Sequence, residues 1–208
     1  MRDELISDLD AFFGKNYSNF DLISALPSYE PVTIAMLLRS GNRVTDGQNT
    51  VNERRKICYQ PHKDELLAEL KERYVDNSFT YSFRVAPVRQ RINSLFAAHS
   101  KGGALILRLV KRYGEEPARM PEKLGITPYA WKKILRGYFL PEKVLLFKLC
   151  LTLGTSREDG YALLKAFGAY YDFEDARDVV VRYLTEYRVF NRDMIDRAFE
   201  EYKLKKIL

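Results

Sequence analysis

The chain has little with which to perform thiol, imidazole or metal chemistry. Its 208 residues include two cysteines, Cys58 and Cys150, and two histidines, His62 and His99. Two cysteines are too few for a disulfide framework, and neither has the closely spaced Cys or His partners that zinc requires. Each is expected to be a small buried or half-buried thiol. Neither histidine has a nearby acid or thiol arrangement that suggests a nucleophile or a metal site, and general acid–base work needs a positioned partner, so both are expected to be structural. No catalytic residue, metal ligand or cofactor is therefore assigned. No apolar run approaches the roughly 18 residues of a membrane span. The opening MRDELISDLDAFFG carries acids where a signal peptide has a basic segment and a long apolar run, so the expectation is a cytoplasmic protein without a membrane partner. The glycines of SKGGALILRLVKRYG are followed by no G-K-[ST], which excludes a phosphate loop. There is no internal repeat and no low-complexity segment.

What the chain does have is apolar mass and an uneven charge. An apolar content of 46%, with 13% aromatics, is ample for a folded core. The net charge of +6 has its source in the second half. Residues 1 to 100 hold 13 Lys/Arg against 13 Asp/Glu, whereas Lys101 to Gly154 hold 11 cations against 4 acids, a local +7. A surplus of this kind is what a polyanion-binding surface requires, and solvated helices carry it too.

The periodicity is helical almost throughout. Asp3 to Phe13 places acids at a helix N-terminus and spaces Leu5, Leu9, Phe12 and Phe13 on one face. Pro31 precedes the helical VTIAMLLRSG, and GNRVTDGQNTVN reads as a loop. Pro61 opens a helix whose stripe is Leu66, Leu67, Leu70 and Tyr74, and Pro87 opens another through Ala98. FTYSFRV, residues 79 to 85, alternates like a strand, and one strand cannot make a sheet, so it reads as an extended connector or a small hairpin edge. Arg54-Arg55-Lys56 reads as an exposed helix turn able to touch phosphate or protein. From Gly102-Gly103, taken as a domain boundary, five short helices follow: ALILRLVKRYG, PARMPEKLG, TPYAWKKILRG, EKVLLFKLCLTLG and SREDGYALLKAFG. Each ends in glycine, the residue suited to a left-handed C-cap. Thr127 and Ser156 are candidate N-caps, with Pro128 at the first helical position. Pro121 requires the second of these helices to be very short or to begin there.

Five helices at this spacing, with L-G-I-T at the second-to-third junction and G-x-x-x-P after the third, resemble the DNA-binding domain of phage Cro and repressor proteins over residues 104 to 168. A longer likeness covers residues 104 to 202. WKKILRGYFLPEKVLLFKLCLTLGTSREDGYALLKAFG and DARDVVVRYLTEYRVFNRDMIDRAFEEY resemble the helical C-terminal module that follows macro domains in some bacterial proteins. In that comparison Trp131 takes the aromatic position, Lys133-Ile134 the K-I pair and Pro141 with Lys143 the P-x-K. Leu163-Leu164 and Gly168 close the match. The resemblance implies a helix-turn-helix-like fold for this half, while residues 1 to 100 match no family that can be named.

The expected architecture is therefore all-α, with an N-terminal helical region (residues 1–100) of unassigned role. Residues 101–208 are expected to form a five-helix, helix-turn-helix-like domain with two added C-terminal helices. In the third helix of that domain, Trp131, Ile134 and Leu135 face inward, with Ala130 at the edge. Thr127, Tyr129, Lys132, Lys133 and Arg136 face outward and are the candidate DNA-binding residues, the cations for phosphates and the N-terminal residues for base edges. The exposed face carries no Asn or Gln for a bidentate contact to adenine. Trp131, Ile134, Leu146, Leu149, Leu163 and Leu164 are expected to form one buried cluster. The stripe Met194, Ile195, Ala198, Phe199 and Tyr202 is expected to fold back onto the chain, with a homodimer as the other outcome. Two functions fit: a non-enzymatic, double-stranded-DNA-binding regulator of a bacterium or mobile element, and an adaptor whose module binds protein, with residues 1–100 holding a second partner.

Overall fold

The structure is a computed structural model that describes residues 3–31, 33, 57–76, 79, 83–88 and 99–208. The expected helices after Pro31 and Pro87, the loop at 41–52 and the Arg54-Arg55-Lys56 run lie outside the described residues. Among the described residues there are ten α-helices and one two-stranded sheet, so the fold is largely helical. In chain order these are α1 (Glu4–Asn16), α2 (Phe20–Ser24), a 3-10 turn (Ile57–Tyr59), α3 (Lys63–Arg73), β1 (Phe83–Val85) and α4 (Lys101–Arg112). Then follow α5 (Met120–Leu124), α6 (Pro128–Leu135), β2 (Phe139–Pro141), α7 (Lys143–Leu153), α8 (Arg157–Ala166), α9 (Ala176–Glu186) and α10 (Arg192–Glu201).

The chain divides into two compact units. The first takes residues 1–78, 171–183 and 196–205, and the second takes 79–170, 184–195 and 206–208. The packed partition thus differs from a linear cut at Gly102-Gly103, because parts of α9 and α10 belong to the first unit.

In the first unit the Asp3 carboxylate accepts the Leu5 amide and caps α1, and Leu5, Leu9 and Phe13 are buried as their spacing required. Phe13 lies 4.4 Å, ring to ring, from Tyr202, and the Arg177 guanidinium is 5.7 Å from the Phe199 ring. Of the C-terminal stripe, Ala198, Phe199 and Tyr202 are buried in this unit and Ile195 in the second, so the stripe folds back, with Met194 left exposed. A polar network runs through this packing. Lys71 Nζ reaches Asp10 and Glu201 at 2.6 Å each, and the Tyr202 hydroxyl donates to Asp10 at 2.8 Å. Burial, followed by the Asp10 charge, pushes the Tyr202 hydroxyl far above its ordinary range, so it stays a donor.

The second unit is built on α7, whose apolar residues Val144–Phe147, Leu149–Leu151 and Leu153 are all buried, with Lys148 and Thr152 half-buried. Trp131, Ile134, Leu146 and Leu149 line a common void of about 10 Å³, and Leu163 and Leu164 are buried in the same unit. The glycine punctuation holds: Gly114, Gly125, Gly137, Gly154 and Gly168 all have positive φ. Thr127 and Ser156 cap α6 and α8, accepting from the amides of Ala130 at 3.1 Å and Asp159 at 3.2 Å. Pro121 sits in the first turn of α5, which has five residues.

Gly102 and Gly103 occupy the first turn of α4, capped by Ser100, and both are buried. One expectation is corrected. The strand at 83–85 is neither a connector nor half of a hairpin. It pairs antiparallel with β2, far along the chain, in the register Phe83 with Pro141, Arg84 with Leu140 and Val85 with Phe139.

The thiols also separate. Ile57 turns inward in the 3-10 segment and leaves Cys58 exposed, whereas Cys150 is buried in α7. Burial is the largest influence on Cys150 and, with Asp159 nearby, pushes the thiol up to about 12. A thiol reagent at mildly alkaline pH is expected to modify one cysteine per native chain, Cys58, and the second only after unfolding. Because the folded value is raised, the stabilisation from a neutral Cys150 is intact below the ordinary thiol value of 9.0 and declines as pH rises towards about 12. Rapid modification of both thiols in the native state would contradict this burial.

Candidate nucleic-acid interface

Helix α6 is short, and its two ends are fixed by different means. Thr127 supplies the N-cap and Pro128 preorganises the first turn, while Arg136 and then Gly137, at φ +77°, end the helix and turn the chain into β2. Ala130, Trp131, Ile134 and Leu135 are buried, which rotates the remaining positions outward. Tyr129, Lys132, Lys133 and Arg136 fall at intervals of three, four and seven residues, one face of a helix. Four of the five candidate residues are thus brought together. Thr127 is exposed beside them, with its hydroxyl oxygen occupied by the cap.

The charge of this face is not cancelled. Within residues 101–154, Arg112 pairs with Asp159 at 2.7 Å, Arg119 with Glu116 at 2.9 Å and Lys123 with Glu115 at 2.6 Å. Glu142 pairs with Arg84 at 2.6 Å. Those contacts engage three of the four acids of the segment and several of its cations. Burial would raise the Asp159 carboxyl, yet hydrogen bonds from Arg112 and Tyr113 and the Arg112 charge outweigh it and hold the group below its usual range. Burial, with Arg192 nearby, lowers Lys148. Lys132, Lys133 and Arg136 form no ion pair among the described residues, as is also true of Lys101, Arg108 and Lys111 on α4.

The face is also aromatic beyond Tyr129. Lys133 Nζ stands 5.4 Å from the Tyr129 ring centroid and 4.6 Å from that of Tyr138. Tyr129 meets Phe139 edge-on at 6.2 Å, and Phe139 stacks on Phe83 at 4.7 Å. The β1–β2 register explains the last contact: Phe83 and Phe139 are diagonal neighbours on one face of the ribbon, with Val85 directly opposite Phe139. Arg84 alternates to the other face, where it meets Glu142. The available signal was the Phe, Tyr and Val alternation of residues 79–85, whose partner at 139–141 no local pattern announces.

Among the described residues, no group of three His, Cys, Asp or Glu side chains is placed to hold a metal ion. No helix described is long and apolar enough to cross a membrane. Comparison with protein-family models, with curated proteins and with solved structures finds no match to this chain.

Proposed function

We propose that this is a non-enzymatic nucleic-acid-binding protein, of the DNA-binding regulator class, whose α5–turn–α6 element works as a helix-turn-helix with α6 against the nucleic acid. The observation that carries this reading is the outer face of α6, where Lys132, Lys133 and Arg136 share one helical face with Tyr129 and have no carboxylate partner among the described residues. Three uncompensated cations on one short helix raise the local potential, and a polyphosphate is the partner that lowers it. Short helices ended by glycine, with a capped and proline-started α6, hold that face rigidly enough to present it.

A titration of labelled DNA at several salt concentrations tests this. Affinity should fall linearly on a log-log plot, and replacing Lys132 and Arg136 together by alanine should reduce the slope by about 1 to 2. Fold stability should change little, because both side chains are exposed. Absence of binding at low salt, where electrostatic attraction is strongest, would remove this reading and leave the protein-binding adaptor in its place.

A further inference from the structure

The geometry points to unpaired bases as the preferred ligand of this face: the α6–β2 surface is a stacking platform for a single nucleic-acid strand, with Tyr129 as the residue that takes a base. This inference rests on the nucleic-acid reading above and specifies which form of nucleic acid the site selects.

Three observations carry it. Tyr129 is 63% exposed although it touches Lys133 and Phe139, so most of its ring is open to a second planar partner. Its surroundings continue the aromatic surface through Phe139 to Phe83, and Lys133 lies between Tyr129 and Tyr138. Finally, the exposed residues of α6 include no amide, so the usual bidentate reader of adenine in a duplex groove is lacking. Inside a duplex the base faces are stacked on each other and only their edges are available. An exposed phenol ring flanked by cations suits the face of an unstacked base with phosphates on either side. Lys132 is placed one turn from Tyr129 and holds no ion pair among the described residues, so it supplies the backbone contact while the ring supplies the stack.

DNA and RNA strands share this chemistry, so both are included in the test. Wild-type protein, Tyr129→Ala and Tyr129→Phe are titrated with oligothymidine, oligodeoxyuridine, oligouridine, a duplex of equal length and a strand of equal length carrying abasic sites. The wild type is expected to bind the base-bearing strands about tenfold more tightly than the abasic strand. Tyr129→Ala should lose about tenfold on base-bearing strands and almost nothing on the abasic strand, while Tyr129→Phe stays within about twofold of wild type. Thermal melting of each variant establishes that it is folded. Oligodeoxyuridine, which differs from oligouridine only in the sugar, identifies the preferred sugar, and tighter binding of either than of the abasic strand supports the platform. If the abasic strand and the duplex bind as tightly as the base-bearing strand, and Tyr129→Ala changes nothing, the stacking platform is wrong while the electrostatic reading stands. If no nucleic acid binds at low salt, both fall.

Discussion

Replacing Gly103 by alanine should destabilise the unit that carries α6 by about 3 kcal/mol or more. A Cβ at this position would stand 1.9 Å from the Leu135 carbonyl oxygen and 2.6 Å from its carbon. The obstacle is backbone, so no side-chain rotation relieves it, and α4 would have to move away from the end of α6. Alanine is otherwise favoured over glycine in a helix by about 1 kcal/mol, so the expected sign is opposite to that of intrinsic propensity. Gly102→Ala is the matched control. Its Cβ would meet the Phe167 ring at 2.7 Å, and a ring can turn aside, so its loss should be smaller. Chemical denaturation of the two variants measures the difference. A Gly103→Ala protein as stable as wild type would mean that α4 and α6 do not approach this closely.

Removing the carboxylate of Asp76 should have an effect of similar size in the first unit. Arg177 is fully buried and pairs with Asp76, which is itself 4% exposed. The pair is tied into the chain near its end: Arg177 donates to the Lys205 carbonyl at 2.9 Å, and the Lys205 amide donates to Asp76 at 2.8 Å. Asp76→Ala removes the buried carboxylate that faces this guanidinium, a change that costs about 3 to 5 kcal/mol. Replacing both partners together, Asp76→Leu with Arg177→Met, should recover most of the loss, since apolar groups need no partner. Urea unfolding of the single and double variants separates the two effects. Equal losses in both would show that packing at Arg177, rather than the charge pair, is what matters.

The contrast between these two sites and α6 shows what local sequence can convey. The caps at Thr127 and Ser156, the proline at position 128 and the closing glycines act within a few residues, so α6 and its neighbours were legible, including which side of α6 faces solvent. The role of Gly103 was not. A Gly-Gly pair punctuates a linker by habit, and only the backbone of Leu135, distant in sequence, requires it inside a helix. Nothing local marks Arg177 for burial, because its partner Asp76 lies far along the chain. The same holds for the aromatic half of the candidate interface. Tyr129, Lys132, Lys133 and Arg136 share one helical period, whereas Phe83 reaches Phe139 only through the β1–β2 register. The packed units follow the same rule, since residues 171–183 and 196–205 join the first unit through burial that no local punctuation marks.

Lysine footprinting on the bound protein tests the central claim most directly. Wild-type chain is acetylated briefly, free and saturated with a base-bearing oligonucleotide at low salt, and modification at each lysine is compared by mass spectrometry. Lys132 and Lys133 are expected to be protected in the complex, while the exposed Lys63 and Lys165 react equally in both states. Saturated protein in which Lys132 and Lys133 react as fast as in the free chain, with protection falling on other lysines, would show that nucleic acid binds elsewhere and would contradict the assignment of α6.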